Sequence, residues 1–204
     1  VMAEAVLELF PDAQIAIGPA IENGFYYDFD LPRPLTDADL ETITKNMRKI
    51  INSGREFVRK EVTREEAKEI FKNQKYKLEL LEAIPEGETV TTYTQGSFTD
   101  LCRGPHVEST KELCADGFKL LSIAGAYWRG NEKNKMLTRI YATAWGSKED
   151  LRAYMDHLAD IEKRDHRKLG KELDLFSLHE EAGPGLVYWH PRGARIRQTI
   201  EQFW

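Results

Sequence analysis

The densest concentration of reactive groups is Asp100-Leu101-Cys102-Arg103-Gly104-Pro105-His106, where a carboxylate, a thiol, a guanidinium and an imidazole fall within seven residues. Gly104-Pro105 rules out a regular helix there, because the residue before proline is pushed toward extended geometry and proline has no N–H to donate. The groups are therefore expected on a loop. Three chemistries suit such a loop: a Cys-x-x-x-His pair can supply ligands to zinc, an imidazole can lower the pKa of a neighbouring thiol, or the cluster can be a polar pocket that binds substrate. Without any function, Cys102 reads as a small buried hydrophobe and His106 as a surface or capping residue. Two ligands do not complete a zinc site, which takes three or four from the protein, so Cys102 and His106 alone are at most partial metal ligands.

Three further stretches carry chemistry-bearing side chains. Gly18 to Asp30 reads first as an aromatic-rich hairpin, with rings alternating between its faces. Lys163, Arg164, Arg167, Lys168 and Lys171 are five cations within nine residues, with Asp165 the one acid in that window. They recur at i, i+1, i+4, i+5 and i+8, so most share one face of a helix. That face is either a helix end favoured by the macrodipole or a surface that neutralises phosphates. His190-Pro191-Arg192-Gly193 opens a helix, where an arginine could meet a phosphate.

The elements that must position these groups follow from patterning. Val6, Leu7, Leu9 and Phe10, stopped by Pro11, suit the last turns of an amphipathic helix. Residues 14–31 form a hairpin around Asn23-Gly24. Thr36 or Asp37 caps a helix that carries Leu40, Ile43, Met47, Ile50 and Ile51 and closes at Ser53-Gly54. A strand near 56–62 precedes a capping box, Thr63 with Glu66, and a helix over 64–73; a shorter helix runs from about Tyr76 to Ala83. Strands are expected at 89–94, 118–125 and 135–145, the last two as antiparallel neighbours. Ser147 with Asp150 opens the longest helix, which continues into 163–168 as a connector. Gly170 and the breakers Gly183, Pro184 and Gly185 mark a composition shift, followed by strand, turn and helix to Trp204. The fold class is α+β: an antiparallel sheet with packed helices.

Composition narrows the function classes. Of 204 residues, 41% are hydrophobic and 31% charged, which fits a globular chain rather than a disordered one. No stretch approaches the ~20 apolar residues of a membrane helix, and the acidic start does not suit a signal peptide, so a cytoplasmic protein without a membrane partner is expected. Two cysteines give no disulfide framework, and a net charge of −5 excludes a uniformly basic nucleic-acid binder while leaving room for a local basic patch.

Five segments taken together, I-G-P-A-I-E-N-G-F-Y-Y-D-F-D at 17–30, D-L-C-R-G-P-H at 100–106, A-G-A-Y-W-R-G at 124–130, N-K-M-L-T-R-I-Y-A-T-A-W at 134–145 and K-R-D-H-R-K-L-G at 163–170, closely resemble the threonyl-tRNA synthetases. The resemblance implies three parts. Residues 1–145 match the second N-terminal domain, which hydrolyses tRNA mischarged with serine; 146–170 match a linker helix; and 171–204 match the truncated beginning of the class II aminoacylation domain. An H-x-x-x-H pair that in this family ends just before the position of Val1 is not in the chain. The resemblance further implies that Tyr27, Lys77, Asp100, Cys102 and His106 line the editing pocket, with Lys77, Asp100, Cys102 and His106 catalytic and Tyr27 and Arg103 binding substrate. Arg164, Arg167 and Lys168 are the expected tRNA contacts. This fragment is expected to hold no metal or cofactor and not to aminoacylate; zinc and ATP with magnesium belong to the full-length enzyme, a homodimer through its class II domain. The partner is the acceptor end of tRNA(Thr). Two other readings stay open: a non-catalytic tRNA-binding module, and a freestanding trans-editing deacylase of the zinc hydrolase kind.

Overall fold

The computed structural model describes residues 1–183 and 185–204; Pro184, one of the three expected breakers, lies outside them. The described residues group into two compact units, Val1–Leu151 and Arg152–Trp204. Every strand pairing among them is antiparallel, and helices are interspersed throughout, so the fold is α+β as the patterning predicts.

The first unit runs α1 (Met2–Leu9), β1 (Gln14–Ile15), β2 (Ala20–Ile21), β3 (Gly24–Asp30), α2 (Asp37–Asn52), β4 (Phe57–Val62), α3 (Arg64–Ile70), α4 (Lys75–Glu82), β5 (Val90–Gln95), β6 (Phe98–Leu101), β7 (Phe118–Tyr127) and β8 (Met136–Ala144). One sheet has the order β1-β3-β8-β7, with β2 also paired to β3; a second is β4-β5-β6. The main core lies on one face of the larger sheet, where Phe29 and Ile140 pack with Val6 of α1 and Ile43 and Ile50 of α2, all at most 1% exposed. Each such side chain contributes about 1.5–3 kcal/mol of hydrophobic stabilisation. A smaller core of Ala67, Phe71, Leu81 and Val90 seats α3 and α4 against β5.

Helix boundaries obey local chemistry. Thr36 and Asp39 form a reciprocal capping box at the start of α2, and Thr63 with Glu66 does the same for α3. Gly54 ends α2 with a φ of +65°, a left-handed conformation that favours glycine. The helix expected over 64–73 stops at Ile70, because Phe71 turns inward and is 2% exposed.

The second unit contains most of α5 (Lys148–Lys163), then α6 (His166–Glu172), β9 (Phe176–Leu178), β10 (Val187–Trp189) and α7 (Pro191–Phe203). Ser147 and Asp150 cap α5 as expected. The continuous connector over 147–168 is a misreading. Asp165 leaves helical geometry with ψ 120° and accepts from the Arg167 N–H at 2.8 Å, starting α6 afresh. Gly170 is required by close packing, since a Cβ there would fall 2.3 Å from the Phe176 ring. The β9–β10 hairpin is tied by Ser177, whose Oγ lies 2.9 Å from Nε2 of both His179 and His190, while His190 Nδ1 meets Asp174 at 2.7 Å. No helix among the described residues is long and apolar enough to cross a membrane.

Candidate active site

Alternation along β3 puts Phe25, Tyr27 and Phe29 on the core side of the larger sheet. Tyr27 stacks on fully buried Phe29, ring centroids 4.9 Å apart, and is backed by Gly18, where a Cβ would come within 2.1 Å of the tyrosine ring. The ring thus has one available position. Its hydroxyl donates to Asp100 Oδ2 at 2.5 Å and accepts from Lys77 Nζ at 3.0 Å. Burial, reinforced by the neighbouring Asp100 carboxylate, pushes the phenol well above its ordinary range, so the hydroxyl keeps the proton it donates.

Lys77 reaches this point from α4, whose Tyr76 anchors the helix by donating to Asp30 at 2.9 Å and lying edge-on to Trp128. Lys77 is 2% exposed, and its ammonium pairs with Asp100 Oδ1 at 2.5 Å. An unpaired ammonium could not persist there, because removing a charge from water costs several kcal/mol unless partners replace the water. Asp100 therefore binds the lysine and the tyrosine through separate oxygens. The expectation that all four groups of 100–106 sit on a loop fails for Asp100, which belongs to β6 and pairs with Tyr93 across the sheet. Gly96, with φ +58°, makes the β5–β6 turn, and a strand of four residues with Thr99 and Asp100 in it offers no run of alternating apolar residues to read.

Beyond β6 the chain does become a loop. Cys102 is fastened by its N–H to Thr91 O at 3.1 Å and by Thr91 Oγ1 to its carbonyl at 2.6 Å. Gly104 has φ +75°, and a Cβ there would meet the Tyr93 hydroxyl at 2.1 Å, so the loop folds tightly over Tyr93. The Gly104 N–H approaches Cys102 Sγ at 3.3 Å. His106 returns to the sheet with its ring 4.2 Å from that of Tyr93 and 5.4 Å from Phe57. The hydrogen bond with His106 draws the Cys102 thiol below its ordinary value, against the effect of burial. The same bond raises His106, again opposed by burial.

A single cleft of about 840 Å³ joins these groups and is lined by Tyr27, Lys77, Asp100, Cys102, Arg103 and His106. The five residues that the resemblance assigns to a pocket, and Arg103, are thus brought together. Arg103 stands at its exposed side, paired with Glu88 at 3.0 Å. Among the described residues no group of three or more His, Cys, Asp or Glu side chains could hold a metal ion. The cationic segment at 163–171 is not one helical face, since the break at Asp165 divides it. Arg164 pairs with Asp160 at 2.9 Å and Arg167 with Asp165 at 2.6 Å, leaving Lys168 exposed on α6.

Residues 90–141, which include β5, β6 and the Cys102 loop, match the profile of the threonyl and alanyl tRNA synthetase second additional domain. Threonine–tRNA ligase of Borrelia recurrentis (strain A1) is 55% identical over 204 residues, covering 100% of this chain and 35% of that protein. Over its whole length this chain matches the threonine–tRNA ligases. The ligase of Magnetococcus marinus is 57% identical over 205 residues, and that of Borreliella burgdorferi (strain ZS7) 54% over 204. The chain spans about a third of the length of these ligases, 31–35%. The resemblance to threonyl-tRNA synthetases read from the five sequence segments is borne out.

Sequence reasoning missed Phe57, Tyr93, Gln95 and Phe98, all of which line the cleft. The signal was present in β5, where Tyr93 and Gln95 alternate onto the side that carries Asp100 and Phe98 in β6. Finding it required knowing that β6 exists.

Proposed function

We propose that this chain is the editing part, linker and first catalytic-domain segment of a threonine–tRNA ligase, with residues 1–145, 146–170 and 171–204 in those three roles, and that its cleft hydrolyses the ester of seryl-tRNA(Thr). The observation that carries the reading is the convergence of Tyr27, Lys77, Asp100, Cys102 and His106 on one cleft. The parent enzyme activates threonine with ATP and magnesium and charges tRNA(Thr) in the cytoplasm, on the analogy of the ligases matched.

Hydrolysis adds water to the ester carbonyl and breaks its bond to the terminal ribose, releasing serine and an intact tRNA. His106 takes the proton of the attacking water and returns it to the departing ribose oxygen, and its pKa is raised from the ordinary 6.5 by the Cys102 thiol beside it. The Lys77 ammonium, held by Asp100 and Tyr27, stabilises charge developing on the carbonyl oxygen. Arg103 at the exposed side meets the phosphate backbone of the acceptor end, exchanging Glu88 for phosphate. Cys102 forms the wall against the seryl side chain. An apolar pocket separates serine from threonine by one methyl, about 1–3 kcal/mol, so charging alone discriminates weakly and a second, hydrolytic site is useful.

The test replaces Cys102 and His106 together by Ala in the enzyme that carries this chain. Editing predicts lost hydrolysis of seryl-tRNA(Thr) with tRNA binding retained. Unchanged hydrolysis, or its absence from the unsubstituted enzyme, contradicts the reading and favours a tRNA-binding module.

A further inference from the structure

Gln95 holds the one buried side-chain nitrogen or oxygen without a hydrogen-bond partner among the described residues, its Oε1. Native proteins leave few such atoms, and each calls for an explanation. The residue is 2% exposed and lines the same cleft as Tyr27 and Asp100. It sits at the centre of a row across the smaller sheet, with Phe57 on one side and Phe98 on the other. Neither ring offers a donor.

The direction of the amide is set from behind. Glu4, itself 5% exposed, receives Arg55 on Oε1 and the Gln95 amide nitrogen on Oε2. A carboxylate paired with a guanidinium offers acceptors only, so it selects the amide N–H₂ and turns the carbonyl oxygen away from itself. Flipping the amide would set oxygen against oxygen. The Arg55–Glu4–Gln95 chain therefore fixes the direction of a buried acceptor that has no protein donor, to which a cationic donor would bond strongly.

Resting on the editing reading above, we infer that Gln95 is a specificity-determining residue, whose Oε1 accepts a hydrogen bond from the α-ammonium of the aminoacyl ester. The aminoacyl group then lies with its ammonium toward the Phe57–Gln95–Phe98 row. Its carbonyl faces Lys77, and the cleft takes α-amino acid esters in preference to other acyl groups.

The experiment compares seryl-tRNA(Thr) with the same tRNA carrying 3-hydroxypropionate, which keeps the side-chain hydroxyl and lacks the amino group. The unsubstituted enzyme should hydrolyse the seryl ester about 10- to 100-fold faster in kcat/KM, the range for one hydrogen bond to a charged group. Gln95→Met, which preserves length and removes the acceptor, should lower the rate on the seryl ester by a similar factor and leave the deaminated ester unaffected. Equal slowing of both esters by Gln95→Met assigns Gln95 a structural role and overturns the inference. Equal hydrolysis of both esters by the unsubstituted enzyme overturns it without any variant. An unsubstituted enzyme that hydrolyses neither ester refutes the editing reading itself.

Discussion

Lys77 is a buried cation whose charge is matched by Asp100 and the Tyr27 hydroxyl. The two sides of this pair should respond unequally to substitution. Asp100→Asn leaves an ammonium facing a neutral amide in a site with almost no water access, and should destabilise the fold by about 3–5 kcal/mol in chemical denaturation. Lys77→Met removes the buried charge and leaves Asp100, whose side chain is 17% exposed, still bonded to Tyr27; its cost should be clearly smaller. Equal costs would mean that the pair does not govern this corner of the cleft. The Cys102–His106 pair makes a pH prediction. Folding lowers the Cys102 pKa, so its contribution to stability is present above the ordinary 9.0 and is lost as pH falls through the folded value. Folding raises His106, so its contribution is full below 6.5 and is lost as pH rises through the folded value. Iodoacetamide should therefore alkylate Cys102 with a midpoint below 9.0, and His106→Ala should move that midpoint upward; an unmoved midpoint would show that the imidazole does not act on the thiol. Asp100, Cys102 and His106 could be named from the sequence because their types are rare together within seven residues, whereas Tyr27 and Lys77 followed only from the family resemblance. Gln95 could not, since an amide in a strand has no chemical signature until its neighbours are known.

Elements with strong local chemistry were legible and those held by distant partners were not. The caps Thr36 and Thr63 and the breaks at Pro11 and Gly54 state helix ends within a few residues of sequence. β6 depends on pairing with β5, and the break in the connector depends on Asp165 folding back on the next turn rather than continuing the cationic pattern. Another tie with no local signal is Thr110. It is fully buried at the end of α2, where its hydroxyl meets the carbonyls of Ile50 and Ile51 and accepts the Arg55 N–H at 2.9 Å. Thr110→Val keeps the shape and removes these bonds, leaving a backbone donor unsatisfied. It should cost about 1–3 kcal/mol, read as a lower denaturation midpoint with the slope unchanged. A neutral substitution would mean that the α2 terminus is held by packing alone.

The proposed substrate, an aminoacyl-tRNA, is far larger than the cleft of the first unit. If the proposed editing holds, the acceptor end is gripped outside the cleft, and the cations near the α5–α6 break are the candidates. Arg164 and Arg167 already have carboxylate partners, so phosphate must displace Asp160 and Asp165 from them, while Lys168 is exposed. Each phosphate neutralised contributes about −0.7 to −0.9 to the slope of log K against log salt, and replacing Arg164, Arg167 and Lys168 by Gln should flatten that slope by up to about 2–3. An unchanged slope and affinity would leave the segment as a pair of self-capped helix ends. Deacylation of seryl-tRNA(Thr) and threonyl-tRNA(Thr), side by side, by the enzyme that carries this chain tests the proposed hydrolysis. The proposed editing function predicts fast hydrolysis of the seryl ester, a threonyl ester left largely intact, and loss of the difference when Cys102 and His106 are replaced by Ala. Equal hydrolysis of the two esters, or of neither, would contradict it.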